Sequence, residues 1–272
     1  MSHSPRKRFG QNFLRDPGII QRIVRSIAPR ADDLLLEIGP GQGALTAALL
    51  ESPARLLAVE LDRDLIPLLQ QRFGHLERFR LLQGDALQLE LAGLADSPLR
   101  VVGNLPYNIS TPLLFHLLRQ RRQLVDMHFM LQREVVERLA ASPGSKAWGR
   151  LGVMVQYHCR VTPLLTVPPE AFVPRPRVQS AVVRLQPHAE PPHRATDEAL
   201  LARLVNLAFQ QRRKTLRNAL RELLDAEAMA GLGIDPRRRP ETLSLAEFVE
   251  LANHCHQAGE RRDFTPTSRS GS

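Results

Sequence analysis

The sequence predicts a doubly wound α/β fold with a mostly parallel sheet, followed by a small all-α domain. Three observations carry this expectation. Short β-rich runs alternate with segments of helical period between residues 17 and 141, a glycine-rich turn closes the first run, and beyond Pro191-Pro192 the pattern becomes helical throughout. Near-continuously apolar strands separated by helices imply a parallel sheet covered on both faces, because each crossover lays a helix against it.

Taken in order, the first helix is expected over residues 17–28, with Asp16 as cap and Pro17 at the first helical position, where a backbone N–H is dispensable. Strands are expected at 34–38, 55–60, 79–82, 100–103 and 127–131, and helices at 43–50, 64–72, 111–119 and 133–141. A Pro/Gly loop after Ser142 leads to a helical stretch, 150–158, and two β-rich runs, 161–167 and 180–185. Between those runs lie Pro168, Pro169, Pro174 and Pro176, so residues 168–178 are expected to form a rigid irregular loop. Helices at 197–210, 215–224 and 245–256 make up the second domain, and residues 258–272 hold too few apolar groups to offset the entropy of ordering. The predicted parts are thus 1–188, 189–257 and a disordered tail, 258–272.

Composition narrows the class. The 272 residues, 43% apolar and 24% charged, describe a globular chain able to bury its own core. No apolar run approaches the roughly 18 residues of a membrane span. Gln21, Arg22 and Arg25 interrupt the isoleucines behind the basic N-terminus, which lacks the form of a secretory signal, so a cytoplasmic protein is expected. Cys159 and Cys255 fit reduced structural thiols, and the adjacent His254, Cys255 and His256 diverge around a helix, so no metal site is expected.

The net charge of +9 is unevenly spread: +6 over residues 1–30, −5 over 31–118, +4 over 119–150, +3 over 151–189 and +1 over the remainder. The basic flanks would attract a polyanion, whereas the acidic block suits a cationic or neutral ligand. Scattered solvated arginines are the plainer alternative.

Glu37-Ile38-Gly39-Pro40-Gly41-Gln42-Gly43 closes the first strand of the sheet and opens a helix. Glycines there let the backbone approach a nucleotide closely. With Glu60 placed 21 residues beyond Gly39, the turn also satisfies a dinucleotide fingerprint, so the motif alone is ambiguous. Glu37 favours a ligand bearing an ammonium or sulfonium over a pyrophosphate. Glu60 can accept from two ribose hydroxyls, and Asp85, before Ala86, is placed to receive an exocyclic amine. Three acids at successive strand ends line the edge where doubly wound sheets bind ligands.

Asn104-Leu105-Pro106-Tyr107 ends the fourth strand. Methylating an aromatic amine requires drawing its lone pair out of the ring. Two acceptors aimed at the amine hydrogens, the Asn104 side-chain oxygen and the Leu105 carbonyl, favour the tetrahedral nitrogen. Pro106 stiffens the turn and Tyr107 offers a face on which a base can stack.

The three acids resemble those of class I (Rossmann-like) S-adenosylmethionine-dependent methyltransferases. With the tetrapeptide, residues 6–257 resemble the ribosomal RNA adenine-N6,N6-dimethyltransferases of the bacterial small-subunit type. Gly10-Gln11-Asn12-Phe13-Leu14 matches the family's N-terminal motif. The resemblance therefore implies a cofactor site of Gln11, Asn12, Leu14, Glu37, Gly39, Gly41, Glu60, Asp85, Ala86 and Asn104, with S-adenosylhomocysteine as the by-product. Phe172, in the Phe172-x-Pro174-x-Pro176-x-Val178 loop, is implied as a second aromatic face opposite Tyr107, the alternative being a core phenylalanine. The catalytic set is then Asn104, Leu105, Pro106, Tyr107 and Phe172. RNA contacts are expected from Arg6, Lys7 and Arg8 and from Arg212, Arg213, Lys214 and Arg217 of a basic helix–turn. The implied reaction is dimethylation of two adjacent adenosines near the 3′ end of 16S rRNA, in the small subunit or its precursor, by a monomer needing no metal. A large-subunit methyltransferase of the macrolide-resistance type, a non-catalytic RNA-binding assembly factor and a nicotinamide dehydrogenase are the rivals. The last lacks a recognisable hydride-transfer acid/base motif.

Overall fold

The computed structural model describes residues 12–211 and 213–263. Arg6, Lys7, Arg8, Gln11, Arg212 and residues 264–272 lie outside the described residues. Contacts divide the chain into two compact units, one ending at Glu137 and resuming over His158–Pro187, the other formed by Arg138–Tyr157 with the chain from His188 onward.

The first unit begins with β1 (Phe13–Leu14) and α1 (Pro17–Ile27). Asp16 caps α1 by accepting from the Ile19 amide, and the buried Ile19, Ile20, Ile23 and Ile27 make one apolar face. There follow β2 (Leu34–Ile38), α2 (Ala44–Leu50), β3 (Arg55–Glu60), α3 (Ile66–Phe73), β4 (Phe79–Gln83), β5 (Leu99–Asn104), α4 (Ser110–Arg119), β6 (Leu124–Gln132) and α5 (Arg133–Leu139). After α6 (Arg150–His158) come β7 (Cys159–Val167), β8 (Phe172–Val173) and β9 (Ser180–Pro187). The seven-stranded sheet has the order β4-β3-β2-β5-β6-β9-β7. Strands β2 to β6 pair parallel, while β9 runs antiparallel to both β6 and β7.

The parallel strands, β2 to β5 among them, therefore end on one edge, which is what positions the candidate site. Buried Leu35, Leu56, Val101 and Val102 hold the sheet between its helices, at roughly 1.5–3 kcal/mol for each large aliphatic side chain fully buried. Gly43 caps α2 at φ 79°, and a Cβ there would lie 2.6 Å from the Phe73 ring of α3, so only glycine fits this approach.

The 168–178 segment is more ordered than expected. A 3-10 turn covers Pro169–Ala171, and β8 pairs antiparallel with β1, Leu14 opposite Phe172. The prolines flank this pair, leaving the amides of Phe172 and Val173 able to donate.

The second unit holds α7 (Glu198–Gln210), α8 (Leu216–Ala219), α9 (Ala226–Gly231) and α10 (Leu245–Asp263). Trp148, 1% exposed, donates its indole N–H to the Leu243 carbonyl at 2.9 Å. Residues 138–157 thus group with the helical unit, although the sequence reading placed them within 1–188. The helix expected over 215–224 is only four residues long, and a separate cap at Asp225, accepting from the Ala228 amide, starts α9. Helix α10 runs to Asp263, so residues 258–263 are helical where a disordered tail was expected.

Candidate active site

The turns leaving β2, β3, β4 and β5 enclose a cavity of about 420 Å³. Its lining includes Asn12, Leu14, Glu37, Gly39, Gly41, Glu60, Asp85, Ala86 and Asn104, with Leu105, Pro106 and Tyr107 at the β5 turn. Every described residue expected at the cofactor site meets in one cavity. Gln11 lies outside the described residues.

Three carboxylates give the cavity its character. Glu37, 2% exposed, accepts from the Thr46 hydroxyl at 2.7 Å. Burial pushes its pKa up to about 7, against the Thr46 hydrogen bond and with the charge of Glu60 adding to the rise. Glu60, 6% exposed, accepts from the amides of Gly41 at 3.0 Å and Asp62 at 2.8 Å. Burial raises its pKa too, despite those hydrogen bonds. An ionised carboxylate offers about four acceptor sites, so Glu60, which also receives the Leu61 amide, keeps acceptor capacity for a ribose hydroxyl. Asp85 accepts from the Leu87 amide at 2.9 Å, which fixes its side chain at the mouth of the β4 turn. The donors to these carboxylates are all uncharged, and such a site lowers the free energy of a cation.

The tetrapeptide is held from several sides. Asn104 donates its Nδ2 to the Asn12 carbonyl at 2.9 Å, which commits the amide nitrogen and leaves Oδ1 as an acceptor. The Leu105 amide donates to the Met130 carbonyl of β6 at 3.2 Å. Tyr107 shares a 2.9 Å hydrogen bond with the hydroxyl of Ser180, and its carbonyl accepts from Ser110. Asn104, with its Oδ1 uncommitted, and Tyr107 both line the acid-lined cavity.

Phe172 is a correction. It is 3% exposed, belongs to the hydrophobic core with Leu14 and Val182, and is absent from the cavity lining. Its pairing with Leu14 turns the ring into packing, in accord with the core alternative. Of the basic residues, Arg213, Lys214 and Arg217 are exposed in the second unit, the first two preceding α8 in a turn. Their arrangement is accordingly a turn followed by one helical residue. Thr46 and Ser180 escaped the sequence reading. Each makes its contact by a single hydroxyl, Thr46 to a residue nine positions away and Ser180 across the sheet, which leaves no pattern in the sequence.

A mostly parallel sheet with an acid-lined, glycine-rich crevice at its C-terminal edge is the architecture of the class I S-adenosylmethionine-dependent methyltransferases. A dimethyladenosine transferase from Plasmodium falciparum shares this fold at TM-score 0.79 and 24% identity, over 91% of this chain and 98% of that one. The 23S rRNA methyltransferase ErmE shares it at TM-score 0.72 and 24% identity, over 90% and 100%. The family model of ribosomal RNA adenine dimethylases matches residues 2–257, and the chain belongs to that family. Ribosomal RNA small subunit methyltransferase A of Chromohalobacter salexigens is 64% identical over 259 residues, covering 93% of this chain and 92% of the relative. Its namesake in Pseudomonas aeruginosa is 62% identical over 253 residues, covering 92% and 94%.

Proposed function

We propose that the protein dimethylates the N6 amines of two adjacent adenosines near the 3′ end of 16S rRNA during small-subunit maturation. The single observation that carries this is the meeting of Asn104 and Tyr107 with three carboxylates, two of them buried, in one cavity. That donor set fits S-adenosylmethionine. Glu60 would hold the ribose, Asp85 the adenine amine, and Glu37 would favour the cationic end, with Asn12, Leu14, Gly39, Gly41 and Ala86 shaping the walls. When bound, this cofactor supplies a methyl group on a sulfonium, an electrophile whose leaving group is neutral.

The chain's own residues do the rest. An adenosine extruded from the RNA would stack on Tyr107, with Asn104 Oδ1 and the Leu105 carbonyl accepting from its amine. These acceptors favour the tetrahedral nitrogen, in which the lone pair is available. No strong base is needed, since the proton can leave after transfer. Repeating the cycle gives the dimethyl product, and the half-occupied intermediate must rotate because one N–H remains for two acceptors. We assign RNA docking to the basic residues Arg6, Lys7, Arg8, Arg212, Arg213, Lys214 and Arg217, to a monomer acting in the cytoplasm without metal. Among the described residues no helix is long and apolar enough to cross a membrane.

The test is transfer of labelled methyl groups to unmodified small subunits, with large-subunit RNA in parallel and digestion to nucleosides. N6,N6-dimethyladenosine in small-subunit RNA is expected. Label confined to large-subunit RNA would favour the macrolide-resistance type, and no transfer at all would favour a binding role.

A further inference from the structure

The geometry points to Ser180 as the positioning residue of Tyr107, holding the ring where a target base can stack. The inference rests on the assignment of Tyr107 as the stacking face.

Ser180 is the first residue of β9 and is 1% exposed, so its hydroxyl has been withdrawn from water. Such a group is costly to bury without a partner, and the partner here is the Tyr107 hydroxyl at 2.9 Å, with either oxygen able to donate. The fold explains how the two meet. Ser180 stands opposite Gln132 at the end of β6, and β6 in turn pairs with β5, Asn104 opposite Met130. The start of the antiparallel strand β9 is thereby brought beside the C-terminal edge of the parallel sheet, where the tetrapeptide begins.

Tyr107 is also held at its base. Pro106 precedes it, the Ile109 amide donates to the Pro106 carbonyl at 3.2 Å, and buried Ser110 donates to the Tyr107 carbonyl at 3.2 Å. A tyrosine side chain has two torsions. With the backbone pinned, the tether at the phenolic tip sets the first of them and so decides where the ring lies. A ring already in place spares the encounter with RNA the entropy of ordering it, and error in its position passes directly to the reacting nitrogen. Ser180 touches neither RNA nor cofactor in this account and acts only through the ring.

Two nearly isosteric variants remove the tether from opposite ends. Ser180→Ala deletes one hydroxyl, and Tyr107→Phe deletes the other while keeping the aromatic face. Each should lower kcat on small subunits about 2- to 12-fold, the range for loss of one hydrogen bond. The double variant should be no slower than the slower single one, since the second change removes nothing further. Affinity for S-adenosylmethionine, by calorimetry, should match the wild type in all three. Tyr107→Ala, measured alongside, removes the face itself and should be more damaging than either. If Tyr107→Ala is impaired while both tether variants turn over at the wild-type rate, the positioning role is wrong and the stacking role stands. Multiplying losses in the double variant would likewise overturn it, since the two hydroxyls would then act separately. Wild-type turnover by Tyr107→Ala would overturn the stacking assignment and the inference with it.

Discussion

Glu37 places a carboxylate with almost no solvent contact in a cavity suited to a cation. Its pKa, pushed up to about 7, lies above the ordinary value of 4.5, so the folded chain binds this proton more tightly than the unfolded one. The resulting stability is complete below the unfolded value and is lost as pH rises through the folded one. Cofactor-free protein should therefore show a Tm that falls between about pH 5 and 8, and Glu37→Gln should flatten the fall. A cation reverses the preference, so binding of S-adenosylmethionine should expel a proton and tighten as pH rises through about 7. Equal binding heats in two buffers of different ionisation enthalpy would sink this linkage. Glu60 gives a contrasting case. Glu60→Ala should weaken cofactor binding by roughly 1–3 kcal/mol, the range for charged hydrogen bonds, and calorimetry with an intact fold but unchanged affinity would contradict the ribose role. Both acids were legible in the sequence, Glu37 just before the glycine turn and Glu60 at the end of the next strand, 21 residues beyond Gly39. Thr46 and Ser180 were not, since a contact made by a single hydroxyl has no periodicity. Phe172 is buried beside the β1–β8 pairing, a contact distant in sequence that no local pattern reveals.

At the scale of elements, one buried ion pair ties several together. Arg100 of β5 faces Asp126 of β6 with two hydrogen bonds of 3.0 and 3.1 Å, reaches Asp33 at 2.7 Å and donates to the Ile27 carbonyl of α1 at 2.6 Å. Arg184 of β9 adds a second cation at 2.9 Å from Asp126. Burial works to raise the Asp126 pKa, yet these arginines hold it below the usual carboxylate range. A depressed acid stabilises above its unfolded pKa, so this contribution should persist into mild acid and be lost only as pH falls through the folded value. Removing one partner strands the other: Asp126→Asn should cost about 3 kcal/mol in urea unfolding. Glu137→Gln, at an exposed pair with Arg133, should cost no more than about 0.5 kcal/mol. Indistinguishable midpoints for the two variants would show that the buried pair contributes nothing special. The strands of this region were legible because apolar residues dominate them despite Arg100, Asp126 and Arg184. The antiparallel insertion of β9 between β6 and β7 was not, since strand order depends on contacts far apart in sequence. Helix α9 has its own sequence signals, Asp225 as cap and Gly231 at its end.

Across the whole molecule, the charge arithmetic separates two tasks. The acidic block, residues 31–118, belongs entirely to the unit that contains the cavity, while Arg213, Lys214 and Arg217 are exposed on the helical unit. Exposed cations in an irregular turn hold their charges in water at little cost, and a phosphate backbone gains by displacing the counterions around it. Each phosphate contact contributes about 0.7–0.9 to the slope of log affinity against log salt. Changing Arg212, Arg213 and Lys214 together to glutamine should therefore flatten the slope for unmodified small subunits by about 2, if all three touch phosphate. Binding should weaken most at low salt, where counterion release is greatest, and converge on the wild type as salt rises. Calorimetric affinity for S-adenosylmethionine should be unchanged, because the acids that would hold it lie in the other unit. A lost slope together with lost cofactor affinity would point to general unfolding, which far-UV circular dichroism detects. A triple variant with wild-type affinity at every salt concentration would reduce these side chains to a solvated surface and leave the RNA to be held elsewhere.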